Sequence, residues 1–278
     1  MQIANNQKIS KWIDAQMSSN TAHWDSALTT FYPESQRWMS SGENYYRHIT
    51  GECNYLNAVL SLSWNNYLTA NSIILDVGCG GGWLSAYLSK NDRVKKIYSI
   101  DSSVNYLENF LPESIRISNG KPEKIEACQG LFSPLILESS SVDLIVISSA
   151  LHHADNIGSV LSDFYRVLKP GAYLLILNET PLGSIEYLFQ ISKAFLKIAT
   201  QSMLQRYSPY VQKISAGGFL NDPYLGDVDY PDWYWKKAIA VNGFELVECI
   251  DSKLPTVVGH SGRTLHHFVC KKLNPNFL

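Results

Sequence analysis

Little net charge, few cysteines and no long apolar run mark this sequence. Its 278 residues hold 23 Lys and Arg against 25 Asp and Glu, a formal charge of −2. That composition lacks the basic excess of a nucleic-acid binder, so no nucleic-acid partner is expected. The five cysteines, Cys53, Cys79, Cys128, Cys249 and Cys270, are scattered, odd in number and form no C-x-x-C pair. This is the pattern of a reducing compartment without disulfides, and it offers no zinc cluster. No H-x-x-x-H spacing occurs either, so no metal is expected. No run approaches the roughly 18 apolar residues that stable membrane insertion requires. Asn5, Asn6, Gln7 and Lys8 stand where a signal peptide would be apolar, and the expected location is cytoplasmic.

The informative stretch is Ile73–Gly82, reading I-I-L-D-V-G-C-G-G-G. Ile73, Ile74, Leu75 and Val77 suit a buried strand, and a helical pattern begins at Trp83, Leu84 and Ala86. A continuous apolar strand entering a glycine turn and a helix is how a parallel α/β unit starts. Glycines there permit positive φ and close approach by a ligand. Spacing decides which ligand. From Gly78, a dinucleotide G-x-G-x-x-G motif would need glycine at Trp83, and the third glycine falls instead at Gly82. No Lys-Ser or Lys-Thr follows, which excludes a P-loop. Asp76 adds negative charge beside the turn, unfavourable for phosphate and favourable for a cationic amine.

Asp76, Gly78, Gly80 and Gly82 resemble motif I of the class I S-adenosylmethionine-dependent methyltransferases, D-x-G-x-G-x-G. Other marks follow in order. The strand pattern Val94–Ile100 ends at Asp101, placed either to accept ribose hydroxyls or to cap the helix that Asp101-Ser102-Ser103 precedes; the family has an acidic residue here. A third strand is expected at Ile125–Gln129. The family commonly places an acidic residue after it for adenine, whereas this chain has Gly130-Leu131, whose backbone groups offer the donor and acceptor instead. Asp143 leads into Leu144–Ile147 and then Ser148-Ser149-Ala150-Leu151-His152-His153, which resembles motif IV; Asp143 reads as a strand-start residue. Arg166-Val167-Leu168-Lys169-Pro170-Gly171 reads as a helix stopped by Pro-Gly, feeding a strand over Tyr173–Leu177. Phe244–Ile250 and Leu265–Cys270 read as a closing antiparallel hairpin.

The resemblance implies an α/β fold, a Rossmann-like sheet that is mostly parallel with a C-terminal antiparallel strand, plus helical caps. The expected divisions are a helical N-terminal cap over 1–70, a cofactor-binding core over 71–179, an aromatic-rich substrate cap over 180–235, and the rest of the sheet over 236–278. In the first cap, Ile9, Trp12, Ile13 and Met17 fall on one helical stripe, and Tyr55, Leu56, Val59, Leu60 and Trp64 on another. In the inserted cap, Ile185, Leu188, Phe189, Phe195 and Leu196, with Lys193 and Lys197 nearby, read as an amphipathic helix that touches a membrane surface or, the preferred reading, docks on the domain as a lid.

It also implies S-adenosylmethionine as cofactor and a small organic acceptor methylated by in-line displacement. Asp76, Gly78, Cys79, Gly80, Gly82, Asp101, Ser102, Gly130, Leu131 and Ser148 are the expected cofactor residues. An imidazole can take a proton from a phenol or hydroxyl, and His152 and His153 sit at a strand end. His153 is preferred as base because His152 falls with Leu151 in the cofactor wall. His266 and His267 alternate in a strand, one of them buried. Tyr45, Tyr46, His48, Tyr207 and Trp233 either line an apolar or aromatic acceptor's cleft or pack a satellite core. A non-catalytic cofactor-binding partner and a protein methyltransferase are the alternatives, and the sequence is compatible with a homodimer.

Overall fold

A computed structural model describes residues 8–13, 30–203, 218–220, 226–259 and 262–273. The chain opens with β1 (Ser10–Lys11), α1 (Ser35–Met39), α2 (Gly42–Arg47) and α3 (Tyr55–Val59). The core follows as β2 (Ser72–Val77), α4 (Trp83–Leu88), β3 (Val94–Asp101), α5 (Leu111–Ser118), β4 (Ile125–Gln129), β5 (Val142–Ser148), α6 (Ile157–Val167) and β6 (Leu168–Glu179). After it come α7 (Ser184–Met203), β7 (Phe219–Leu220), β8 (Val228–Asp229), α8 (Asp232–Val241), β9 (Phe244–Pro255) and β10 (Thr264–Lys272).

The main sheet has the order β1-β4-β3-β2-β5-β6-β10-β9. β1 to β6 pair in parallel, and β10 runs antiparallel to both β6 and β9. Strand β5 shows why the sheet is covered twice. Leu144, Ile145, Val146 and Ile147 are all fully buried. Ile145 and Ile147 join Leu75 and Val77 beneath α6 and α8, while Leu144 and Val146 join Ile74 beneath α4 and α5. Each such side chain contributes about 1.5–3 kcal/mol by leaving water. Parallel strands therefore need helices on both faces.

Chain direction sets where a ligand fits. From β2 the sheet grows outward through β3 and β4, then returns to the other flank of β2 with β5. The loops leave β2 and β5 in opposite senses and open a crevice at the strands' C-terminal ends.

Four expectations are corrected. The stripe of Ile9, Trp12 and Ile13 is not helical: Ser10 and Lys11 add a parallel strand to β4, and the Trp12 amide donates to Gln129 O at 2.8 Å. The outer edge of β4 carries backbone groups that need partners, and this demand outweighs helical periodicity. Met17 lies outside the described residues. Helix α6 ends at Val167, ahead of Pro170-Gly171, because Lys169 precedes proline and favours extended backbone; those residues begin β6. In α7 the expected docking face is reversed: Tyr187, Ile191 and Ala194 pack on Leu182 and Phe219, while Ile185, Leu188, Phe189, Phe195 and Leu196 are exposed. The division expected at residue 235 also falls inside α8.

Asp143 and Arg166 act structurally. Asp143 accepts from the Ile73 amide at 2.9 Å and pairs with Lys169 at 2.7 Å. The Arg166 guanidinium donates to Leu135 O at 2.7 Å, Leu137 O at 2.6 Å and Asp163 at 2.7 Å, pinning the loop ahead of β5. Replacing Arg166 with Ala leaves those acceptors unpaired and should cost about 2 kcal/mol in urea unfolding. An unchanged midpoint would show that the clamp contributes nothing.

Candidate active site

The glycine turn is shaped by backbone conformation. Gly78, Gly80 and Gly82 have φ of 63°, 52° and 67°, a region costly for other residues. A side chain at Gly82 would also run into Leu111. The Gly80 amide donates to Asp101 Oδ2 at 2.8 Å, and the Gly81 amide to the Tyr45 hydroxyl at 2.9 Å. Asp101 Oδ1 meanwhile accepts from the Ser103 amide at 2.9 Å. Both sequence readings of Asp101 therefore meet in one residue: it caps the following turn, and its carboxylate stands at the C-terminal end of β3 where a ribose would be met.

Asp76 lies beneath the turn rather than in it. It is buried, and its Oδ2 accepts from Ser85 Oγ at 2.6 Å, which in turn lies 2.6 Å from Ser99 Oγ. Burial pushes its carboxyl up to about 7, partly offset by the Ser85 hydrogen bonds and reinforced by nearby Asp101. A cation above the turn would favour its ionised form. Cys79 is buried with its thiol held up by burial, then by Asp101 and Asp76, which leaves it inert. At the end of β4, the Gly130 amide donates to Asp101 O at 2.9 Å. Trp12 packs over Gly130 and tilts against Tyr98 at 5.6 Å between ring centroids.

The donor set suits S-adenosylmethionine. A carboxylate stands at the end of β3 for a ribose diol, backbone groups of Gly130 and Leu131 can meet an adenine edge, and the carboxylates Asp76 and Asp101 answer a cationic amine and sulfonium. A pyrophosphate would meet repulsion there.

The other half of the crevice is built on β5 and β6. His152 Nδ1 lies 2.8 Å from Glu179 Oε2, and Glu179 is 2% exposed. The same carboxylate accepts from the Leu151 amide at 3.2 Å. Burial opposes charge on His152, but Glu179, with Asp227 and Asp229 beyond, outweighs it and raises its pKa. His153 Nδ1 lies 2.7 Å from Asp227 Oδ1. Burial works against the Asp227 charge, yet His153 and His152 hold its carboxyl below the usual range. A small cavity of about 90 Å³ is lined by His152, Glu179, Asp227, Asp229, Tyr230 and Trp235 among others. Ligand-type atoms of His152, His153 and Asp227 lie within 4.8 Å of one another, so these three residues could also hold a divalent cation.

Neighbouring groups fix this wall. Ser148 accepts from Asn178 Nδ2 at 2.9 Å, and Ser149 lies 2.8 Å from the Tyr55 hydroxyl. Buried His267 accepts from the Asn178 amide at 3.1 Å, leaving its other nitrogen to donate to Ala58 O at 3.0 Å. It is the buried member of its pair; His266 is half-buried near Asp251.

Of the expected acceptor residues, Tyr45 and His48 both flank Trp38, and Trp233 stands elsewhere beside α7. Tyr45 is a support of the glycine turn, ringed by Phe110 and Tyr106. Tyr46 packs into the core beside Val59, and His48 stacks on Trp38 at 4.7 Å and pairs with Glu52. Trp233 stands 46% exposed against Tyr187, outside the cavity lining. Tyr207 lies outside the described residues. Sequence reasoning missed Glu179, although the rule that located Asp101, an acid at a parallel strand's C-terminal end, applies equally to it. Asp227 had no such signal, because it follows no core strand.

A model of the Methyltransferase domain family matches residues 75–176. The chain is 28% identical over 169 residues to a sterol 24-C-methyltransferase of Debaryomyces hansenii, covering 55% of this chain and 40% of that one. It is 25% identical over 147 residues to a demethylmenaquinone methyltransferase of Lactococcus lactis, covering 49% and 57%. The chain thus spans about half the length of the curated relatives it matches. Among solved structures, Burkholderia thailandensis 1,6-didemethyltoxoflavin-N1-methyltransferase, with its substrate and S-adenosylhomocysteine bound, has the same fold. It superposes with a TM-score of 0.58 at 15% identity, over 90% of this chain and 89% of that one. With the glycine turn, the acidic end of β3 and the sheet order all in place, residues 75–176 match the Methyltransferase domain family, and the chain has the fold of a solved methyltransferase that holds S-adenosylhomocysteine.

Proposed function

We propose that this chain transfers a methyl group from S-adenosylmethionine to a small organic acceptor with an apolar or aromatic body, and that His152 takes the acceptor's proton. The observation that carries this reading is the pairing of His152 with buried Glu179, just past the turn after β5 whose Ala150 packs against Gly78 of the glycine turn. Bound S-adenosylmethionine supplies a methyl group on a cationic sulfur, open to in-line displacement.

The chain's own residues do the remaining work. Gly78, Gly80 and Gly82 leave room for the methionine portion, Asp101 accepts from the ribose, and Asp76 answers the amine from beneath the turn. Glu179 accepts from Nδ1–H of His152, which leaves Nε2 as the acceptor on the neutral ring. His153 closes the wall beside it, and because its partner Asp227 is 28% exposed against 2% for Glu179 it is the more weakly polarised base. This reverses the preference drawn from the sequence. The acceptor class draws support from the relatives' names, a sterol, a quinone precursor and toxoflavin, and from an aromatic content of 12%.

Calorimetric titration of the chain with S-adenosylhomocysteine tests the cofactor half. Saturable binding is expected, weakened roughly tenfold or more in Asp101→Ala, the scale of a lost hydrogen bond to a charged group. A folded chain that shows no heat of binding would sink the proposal.

The base has its own readout. Because Glu179 raises the His152 pKa, its ring signals should titrate by NMR above the usual histidine value of about 6.5, and Glu179→Gln should bring that midpoint down. The ion pair's stabilisation is full below the unfolded-state pKa and fades as pH rises through the folded one. The neutral, proton-accepting ring prevails only above it, so methyl transfer should climb with pH through the same value. An unshifted midpoint in Glu179→Gln would remove Glu179 from the mechanism.

A further inference from the structure

Helix α7 has two apolar faces, and only one is covered. Tyr187, Ile191 and Ala194 face Leu182 and Phe219. Ile185, Leu188, Phe189, Phe195, Leu196 and Met203 stand outward, between 60% and 86% exposed. At 3.6 residues per turn these six fall in an arc of about 120° along a helix roughly 30 Å long. Single exposed leucines need no explanation, but a continuous stripe does.

The polar groups that meet the stripe are turned back on the helix. Ser192, inside the arc, turns its hydroxyl back to Leu188 O at 2.8 Å, and Thr200 at the border bonds Lys197 O at 2.9 Å. Lys193 and Lys197 lie exposed along one border, with Lys193 Nζ 5.3 Å from the Phe189 ring centre. The helix's one acid, Glu186, is paired with Arg263 at 3.1 Å. Charge beside the stripe is therefore positive, although the chain as a whole carries −2. Trp233, half-exposed and edge-on to Tyr187 at 5.7 Å, adds an amphipathic ring beside the helix.

We propose that α7 lays this stripe on the surface of an anionic phospholipid bilayer, with Lys193 and Lys197 at the headgroups and Trp233 at the boundary. Side chains of unlike shape with no interleaved polar pattern suit a fluid apolar layer, and flanking cations suit anionic headgroups. No helix among the described residues is long and apolar enough to span a membrane, so the contact is peripheral. Arg263 links the helix to the site: it holds Glu186 and also Asp229 at 2.9 Å, and Asp229 lines the cavity beside His152. Docking on α7 would bring the cleft to the bilayer, giving an acceptor dissolved in the membrane. That last step rests on the methyl-transfer reading; the docking does not.

The test is flotation of the full chain with vesicles of phosphatidylcholine alone and of phosphatidylcholine mixed with phosphatidylglycerol. The chain should float with the mixed vesicles, less so at high salt. Phe189→Ser with Phe195→Ser should cut partitioning roughly tenfold or more. Lys193→Gln with Lys197→Gln should remove the preference for the anionic vesicles. Both variants should titrate with S-adenosylhomocysteine as the parent does, showing an intact core. Flotation without S-adenosylhomocysteine binding supports the docking and rejects the methyl-transfer reading. A cofactor-binding chain that floats with neither vesicle overturns the proposal, as does a phenylalanine variant that floats like the parent. So does a dimer that the phenylalanine substitutions dissociate while vesicles capture nothing, since the stripe would then be a contact between copies.

Discussion

A parallel strand buried on both faces has room for polar side chains only where it ends. Strands β2, β3, β5 and β6 obey this constraint, and the chemistry of the chain follows from it. Leu75, Val77, Ile100, Ile145, Ile147 and Ile176 fill one face of the sheet. Asp101, His152 and Glu179 all stand at or just past C-terminal strand ends. Asp76 and Ser99 are buried polar groups within strands, and they are tolerated because Ser85 hydrogen-bonds to both. A buried carboxylate without that partner would cost far more than the strand's packing could offset.

Electrostatics gives the crevice its character. Asp76, Asp101, Glu179, Asp227 and Asp229 gather around it, while Arg263 satisfies Asp229 from outside. Such a site favours a cationic ligand and raises the pKa of an imidazole at its edge, as His152 shows. The same arrangement sets His153 beside Asp227, a carboxylate far more exposed than Glu179. Two histidines adjacent in sequence thus acquire different surroundings from different carboxylates.

The sheet, its glycine turn and its acidic strand end were legible in residues 73–179 because each is a local pattern. An apolar run, a glycine spacing or a Pro-Gly pair records its own backbone preference. Legibility failed where distant groups compete. Trp12 follows a strand because β4 offers it an edge, and α7 turns its larger apolar face outward because Leu182 and Phe219 take only Tyr187, Ile191 and Ala194. Tyr45 supports Gly81 across 36 positions of chain, a relation no local pattern encodes.

Sequence alone determined the strand-turn-helix unit, the class of ligand its glycines admit, and the order of the core elements. Backbone conformation and burial dictate these within a few residues of chain. Tertiary structure decided that Glu179 meets His152, that Asp227 meets His153, and which face of α7 is left uncovered. Those pairings join side chains from separate strands and loops, so only the closed sheet brings the charges near enough to act on one another.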